Sequence, residues 1–255
     1  MSDKFNTAYV DEKGNSIGNS AYKLTRCVME NVDGDRRDIS NMVGYIKIHE
    51  SLFAPSLVCE VGIRDESNFI EEFNITGNEI LNIEIVTKSF DSERTLSYTF
   101  YVQNYNDYAR SAENSQVQAY TLVAVSEHAY IAPLKTISRR VSGTNVSTIE
   151  RIMRDDLNVK QFLSYGKCGT SFDGNINISN PIKAALSVLD SAADINRTPY
   201  FLYEDLSAVV HLMPLSYIND REENPIYKTF RNTSHLDTTP NTHANYLERS
   251  TQMLK

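Results

Sequence analysis

The sequence predicts an α+β chain, with an antiparallel barrel or sandwich over its first half and a smaller α+β domain after it. Two observations carry this. From Lys23 to Ser126, apolar residues recur at every second position in one run after another, and short turns join the runs. Beyond Pro133 the spacing becomes helical, and a hairpin pattern follows it.

The first strand is Lys23–Glu30, which ends at the turn Asp33-Gly34-Asp35. Val43–Glu50 alternates next, with Val43, Tyr45 and Lys47 on one face and Ile46 and Ile48 on the other. Ser56–Ile63 places Leu57, Cys59, Val61 and Ile63 on a single face. Ser67–Phe73 reads as a helical turn, with Ser67 or Asn68 as its cap. The turn Thr76-Gly77-Asn78 leads into Glu79–Thr87, where Leu81, Ile83 and Ile85 form the inward set. Thr95–Asn106 and Gln116–Ser126 complete a set that suits consecutive antiparallel strands. In the second half, Val146, Ile149, Ile152, Met153 and Leu157 form one helical stripe over Asn145–Leu157. Ser179-Asn180-Pro181 is a helix start, and Ile182, Ala185, Leu186, Leu189 and Ala192 mark the apolar face that follows. Pro199–Tyr203 and Ala208–Met213 form a hairpin around Glu204–Ser207, and Pro225–Arg231 reads as a last strand. The resulting division is a polar arm at 1–20, a β domain at 21–132, an α+β domain at 133–224, and a strand with a polar tail at 225–255.

With 41% hydrophobic and 23% charged residues, the chain has the material for a packed core, which argues against disorder over its whole length. A net charge of −8 argues against non-specific duplex binding, because no excess of cations is present to neutralise phosphates. Cys27, Cys59 and Cys168 fit neither a zinc spacing nor a disulfide framework and read as buried free thiols in a reducing compartment. No apolar run reaches the length of a membrane span, and the first twenty residues lack the pattern of a secretory leader. The N-x-S/T triplets at Asn74, Asn145, Asn196 and Asn232 therefore read as chance, and the chain as one made in the cytoplasm or built there into something larger.

Motifs for chemistry are absent. His49, His128, His211, His235 and His243 show no metal-ligand spacing, so no metal or cofactor site is expected. The neighbouring acids Glu71-Glu72, Asp155-Asp156 and Glu222-Glu223 point apart on a helix and read as solvated faces. No nucleophile elbow, P-loop or dinucleotide fingerprint occurs, so no catalytic residue is named and the chain is expected not to be an enzyme. Lys135, Arg139 and Arg140 form a local basic patch that reads as a contact surface. Tyr98, Tyr101, Tyr105 and Tyr108 share one polar strand, a pattern favoured at protein–protein contacts.

Three stretches together resemble the baseplate hub proteins of contractile-tailed phages and the related hub part of bacterial secretion spikes. These are IKIHESLFAPSLVCEVGIRDESNFIEEFNITGNEILNIEI (Ile46–Ile85), VSTIERIMRDDLNV (Val146–Val159) and NPIKAALSVLDSAADINRTPYFLYEDLSAVVHLMPL (Asn180–Leu215). They stand in the family's order. The resemblance implies a tube-type antiparallel β-barrel followed by a smaller α+β domain, in a structural subunit of the virion assembled in the host cytoplasm. The implied hub ring joins the tail tube to the central spike. Its partners are copies of this chain, the tube protein, the spike and other baseplate subunits, with no nucleic acid and no membrane anchor. The family usually carries two barrels per chain, whereas this sequence shows one, with Pro225–Arg231 where a second would begin. Two other readings are a tube-terminating or adaptor protein with the same barrel and a tail-associated cell-wall-degrading enzyme.

Overall fold

In the computed structural model, which describes residues 22–88, 93–110, 117–219, 228–230 and 251–253, the period-two runs become one seven-stranded sheet. Its strands are β1 (Tyr22–Glu30), β2 (Arg36–Asp38), β3 (Val43–His49), β4 (Val58–Asp65), β5 (Ile80–Lys88), β6 (Glu93–Arg110) and β7 (Gln118–Ser126), in the order β2-β1-β5-β6-β7-β4-β3. The pairings β1–β2, β3–β4, β4–β7 and β6–β7 are antiparallel. The two outermost strands of this order are consecutive pieces of one chain. β2 pairs with β1, and the Ile39 amide then donates to the carbonyl of Cys27 at 2.8 Å. Three residues later the Met42 carbonyl accepts from the Arg64 amide at 2.8 Å, and β3 runs on along β4.

Burial follows the expected alternation. Leu57, Cys59, Val61, Ile83 and Ile85 are all buried, as are Leu81, Phe100, Val102, Leu122 and Ala124. β3 departs from it: Val43 and Ile46 are both buried, not on opposite faces. A bulge shifts the register between Val43 and Tyr45, and the extra residue, Gly44, reverses the phase. The α1 helix (Phe69–Glu72) forms without the expected cap. Asn68 is left-handed (φ 58°), and its side chain accepts from no helix amide. The buried Asp65 carboxylate takes its place, accepting from the amides of Ser67 (2.9 Å) and Ile70 (3.3 Å). Glu79 plays the same part at the next turn, accepting from the amides of Thr76 (2.5 Å) and Gly77 (3.0 Å).

After the short helix α2 (Glu127–Ile131) come strands with no clear signature in the sequence. β8 (Thr136–Thr144) pairs antiparallel with β10 (Ser171–Ser179), and β9 (Phe162–Ser164) lies parallel to β12 (Val210–Pro214). β12 forms the expected hairpin with β11 (Tyr200–Glu204), giving a three-stranded sheet in the order β11-β12-β9. The expected helix over Asn145–Leu157 is α3 (Asn145–Arg151) running into a π-turn over Ile152–Asp156, where the Leu157 amide reaches back five residues to the Ile152 carbonyl at 3.3 Å. Its stripe is buried as read at Ile149, Ile152, Met153 and Leu157.

Helix α4 (Pro181–Leu189) starts as predicted, with Pro181 in the first turn and the Asn180 side chain accepting from the amides of Ile182 (3.0 Å) and Lys183 (3.3 Å). Its fully buried residues are Pro181, Ala184, Ala185 and Val188; of the predicted face, Ala185 and Ala192 are buried and Ile182 and Leu189 pack half-buried against the same cluster. Leu186 is half-buried and lies outside the cluster that Ile149, Met153, Val188, Leu202 and Leu212 build. Small alanines let α4 approach closely, so the contact line follows them and not the larger leucine.

Helix α5 (Leu215–Asn219) closes the region. Within the expected final strand, Lys228–Phe230 forms β13, paired antiparallel with β14 (Thr251–Met253), three residues that composition alone read as polar tail. The arm at 1–20 and the rest of 232–255 lie outside the described residues. The larger compact unit comprises Arg26–Ile83 and Ser97–Asp220, and the remaining described residues fall in a second unit.

The buried thiols are Cys27 and Cys59, but Cys168 is half-buried. Burial and the nearby Asp38 push Cys27 up to about 12, and burial raises Cys59 as well. At Cys168 burial is outweighed by hydrogen bonds involving the Val146 backbone and Thr170, and the thiol is lowered. Iodoacetamide at neutral pH should therefore alkylate Cys168 first and reach Cys27 and Cys59 only on unfolding, as mass mapping of the native protein would show. Val188→Asp should lower unfolding free energy by about 3–5 kcal/mol in urea titrations, and Leu186→Asp by less than half of that.

Candidate assembly interface

Among the sequence-flagged residues that are described, no three His, Cys, Asp or Glu side chains gather as a metal site would require. His49 is exposed and faces Glu60 at 3.3 Å. His128 is buried, with Nε2 2.7 Å from the Pro55 carbonyl. His211 lies between the rings of Tyr203 (5.2 Å) and Tyr165 (5.9 Å), with Nε2 3.1 Å from Asp205 Oδ2. His235, His243, Glu222 and Glu223 are outside the described residues. Glu71 and Glu72 are exposed, as read.

The basic patch is not a free contact surface. Arg139 makes a two-bond pair with Asp156 (3.1 and 2.6 Å), Lys135 donates to the Asp156 carbonyl, and Arg140 faces Asp173 at 3.3 Å. The pairing of β8 with β10 brings Asp173 within reach of Arg140, and the π-turn supplies Asp156. Asn145 is fully buried, its amide nitrogen donating to the Val188 carbonyl and Ser191 Oγ, so its triplet is closed to modification.

A second buried polar group escaped the sequence reading. The carboxylate of Glu204, at the end of β11, accepts from the Leu57 amide at 2.8 Å and from the Ser126 hydroxyl through the same oxygen. Leu57 immediately precedes β4 and Ser126 ends β7, two neighbouring strands. His128 Nε2 stands 3.8 Å from that oxygen. The hydroxyl of Tyr98 adds a second tie, donating to the Leu206 carbonyl at 2.6 Å. A cavity of about 260 Å³ lies beside this joint, walled by Phe100, Leu157, Lys160 and Val210 among others. Serine, histidine and glutamate meet here, yet not in the order of a nucleophilic relay. The histidine would have to stand between hydroxyl and carboxylate, but the two oxygens bond directly and the histidine turns to a backbone carbonyl. The signal for Glu204 was present, since Tyr200, Leu202 and Glu204 share one face of an alternating strand and all three are buried.

The four tyrosines of β6 divide. Tyr98 is buried and stacks on Phe100, and Tyr101 is half-buried against Tyr130. Tyr105 and Tyr108 are exposed. Register shifts at Val102/Asn104 and Asn106/Ala109, with Asp107 at φ 56°, separate the two halves, and every residue from Gln103 to Ala109 is exposed. The outer half of this strand is thus a bulged, tyrosine-bearing ribbon backed by β7, a surface suited to contact with another protein.

No protein-family model and no curated protein matches the chain. Solved structures do resemble it. A tail protein from Neisseria meningitidis MC58 is 12% identical, with 75% of this chain and 51% of that one covered and a TM-score of 0.44. A Francisella PdpA–VgrG complex is 14% identical, with 81% and 31% covered and a TM-score of 0.45. The 43 kDa tail protein of prophage MuSo2 from Shewanella oneidensis is 12% identical, with 74% and 54% covered and a TM-score of 0.43. The structures that resemble this chain are thus two tail proteins and a VgrG complex. The chain spans from a third to about half of their length.

Removing the Glu204 carboxylate strands two buried donors. Glu204→Ala should cost about 1–3 kcal/mol for each unsatisfied group in urea unfolding, while Glu204→Gln, which keeps one acceptor oxygen, should cost less.

Proposed function

We propose that this chain is a structural subunit of a phage tail baseplate, part of the hub ring that joins the tail tube to the central spike. The observation that carries this reading is the Arg36–His49 segment, which bonds β1 with its first half and β4 with its second. A sheet whose two outer strands are one continuous chain has the connectivity of a barrel, the element the resemblance calls for at 21–132. The other two matching stretches fall on α3 with its π-turn and on α4 with the β11–β12 hairpin, in the order the resemblance requires, which fits an α+β domain at 133–224.

In this role the chain performs no reaction. Its partners are copies of itself, the tube protein, the spike and other baseplate subunits, and the polar arms 1–20 and 232–255 serve as contacts to them. The exposed half of β6 supplies a polar, aromatic contact of the kind such an assembly uses. Assembly takes place in the host cytoplasm and ends in the virion.

Gold-labelled antibody on purified tails should mark the junction of tube and spike, and tagged chain should bring down both proteins from assembled tails. Label at the head-proximal end of the tube would favour the terminator reading instead. Clearing on a cell-wall zymogram by the purified chain would replace both with an enzyme.

A further inference from the structure

One oxygen of the Glu204 carboxylate is in use and the other is not. Oε2 accepts from the Leu57 amide at 2.8 Å and from the Ser126 hydroxyl. Oε1 accepts from no group among the described residues, although the side chain is only 6% exposed. This oxygen is not sealed inside the protein either. Glu204 lines the cavity of about 260 Å³ beside the joint, and that is the space on which Oε1 opens.

The walls leave the oxygen unserved. Leu57, Phe100, Leu157 and Val210, all buried, give the cavity an apolar lining, and the exposed Lys160 and Gln161 stand at its edge. His128 is turned elsewhere. A carbonyl can only accept, so Nε2, 2.7 Å from the Pro55 carbonyl, carries its proton toward that group. Lys160 lines the cavity but forms no ion pair with Glu204. The cavity thus combines apolar walls with a buried carboxylate oxygen that no cation of the described residues neutralises.

A buried carboxylate is costly unless it is paired, so the guest that suits this oxygen carries positive charge on an apolar stem. Size narrows the choice. The volume of about 260 Å³ exceeds the roughly 30 Å³ of one water many times over, and falls below the roughly 300–1,000 Å³ of pockets for drug-sized ligands. A single side chain is of the right scale. The number of open acceptors decides between the two basic types. A guanidinium pairs best with both oxygens of a carboxylate through its parallel fork, and here an amide and a hydroxyl already hold one of them. An ammonium is a point charge and needs only one.

We propose that this cavity binds an aliphatic primary ammonium, with its alkyl stem against Leu57, Phe100 and Val210 and its head on Glu204 Oε1. A lysine side chain of a partner protein and a free aliphatic amine present the same group. The inference stands on the cavity and goes beyond the hub reading, so the two fail separately: antibody label on tails bears on one, amine binding on the other.

The test is a titration of the full chain with n-butylamine at neutral pH, read by NMR at the Leu57 amide, which bonds the same carboxylate. The resonance should move saturably with the amine and stay in place with butanol and butyrate. Glu204→Gln keeps an acceptor for Leu57 and Ser126 but puts an amide nitrogen where Oε1 stood, and should weaken binding about tenfold or more. Lys160→Glu, at an exposed position on the edge, adds negative charge near the guest and should tighten binding about threefold. It carries the test alone should the first variant fail to fold. N-acetyl-lysine methylamide binding more tightly than putrescine points to a partner's lysine, and the opposite order to a free amine; both orders support the proposal. No saturable shift, an equal shift with butanol, a preference for N-acetyl-arginine methylamide, a Glu204→Gln protein that binds like the wild type, or a Lys160→Glu protein that binds more weakly would each overturn it.

Discussion

One carboxylate oxygen holds the β11–β12 hairpin to the sheet. Glu204 reaches the Leu57 amide across 147 residues of sequence and takes the Ser126 hydroxyl at the same oxygen. Leu57 and Ser126 sit at the ends of two paired strands, where Val58 lies opposite Val125, so one side chain fixes the mouth of a strand pair and the end of a hairpin together. A buried carboxylate tolerates such a place only when donors surround it. Moving the hairpin would strip those donors away, and the cost of that is what makes the joint stiff. Tyr98, bonded to the Leu206 carbonyl, closes the other side of the same turn.

What the sequence disclosed and what it hid divide along a physical line. Residues whose own neighbours decide their orientation were readable. Leu57, Cys59 and Val61 alternate because the strand is pleated, and Asn180-Pro181 caps because its chemistry is local. Val43 and Ile46 misled because a single extra residue, invisible as such in the letters, reverses the face. β8 and β10 were hidden for another reason. TISRRVSGT and SFDGNINIS are polar on most positions, and only the nine-residue register between them makes either a strand. The face of α4 turned on its alanines, whose value lies in the closeness they permit and not in their own apolar area.

Buried acids form the third hidden class. Asp65, Glu79, Asp194 and Glu204 are all at least nine-tenths buried, and each accepts backbone amides. Three of them organise a turn within a few residues of themselves, and Glu204 takes its amide from 147 residues away. Their ligands are main-chain groups, which every sequence possesses, so no motif announces them. The contact surfaces were half legible for a related reason. Tyrosine content pointed to β6, but which tyrosines face outward depends on two bulges, and the basic patch lost its charge to Asp156 and Asp173 once the strands had paired.

The widened turn at Ile152–Asp156 has an implication for length variation in this chain. A π-turn spends about one residue more per revolution than the α-helix it continues. Deleting a single residue there lets the helix run on at ordinary pitch while Leu157 keeps its direction toward the core, whereas a deletion within Asn145–Arg151 would swing the stripe about 100° off its partner. The turn is a splice point, where that helix can shrink by a residue without losing its seat.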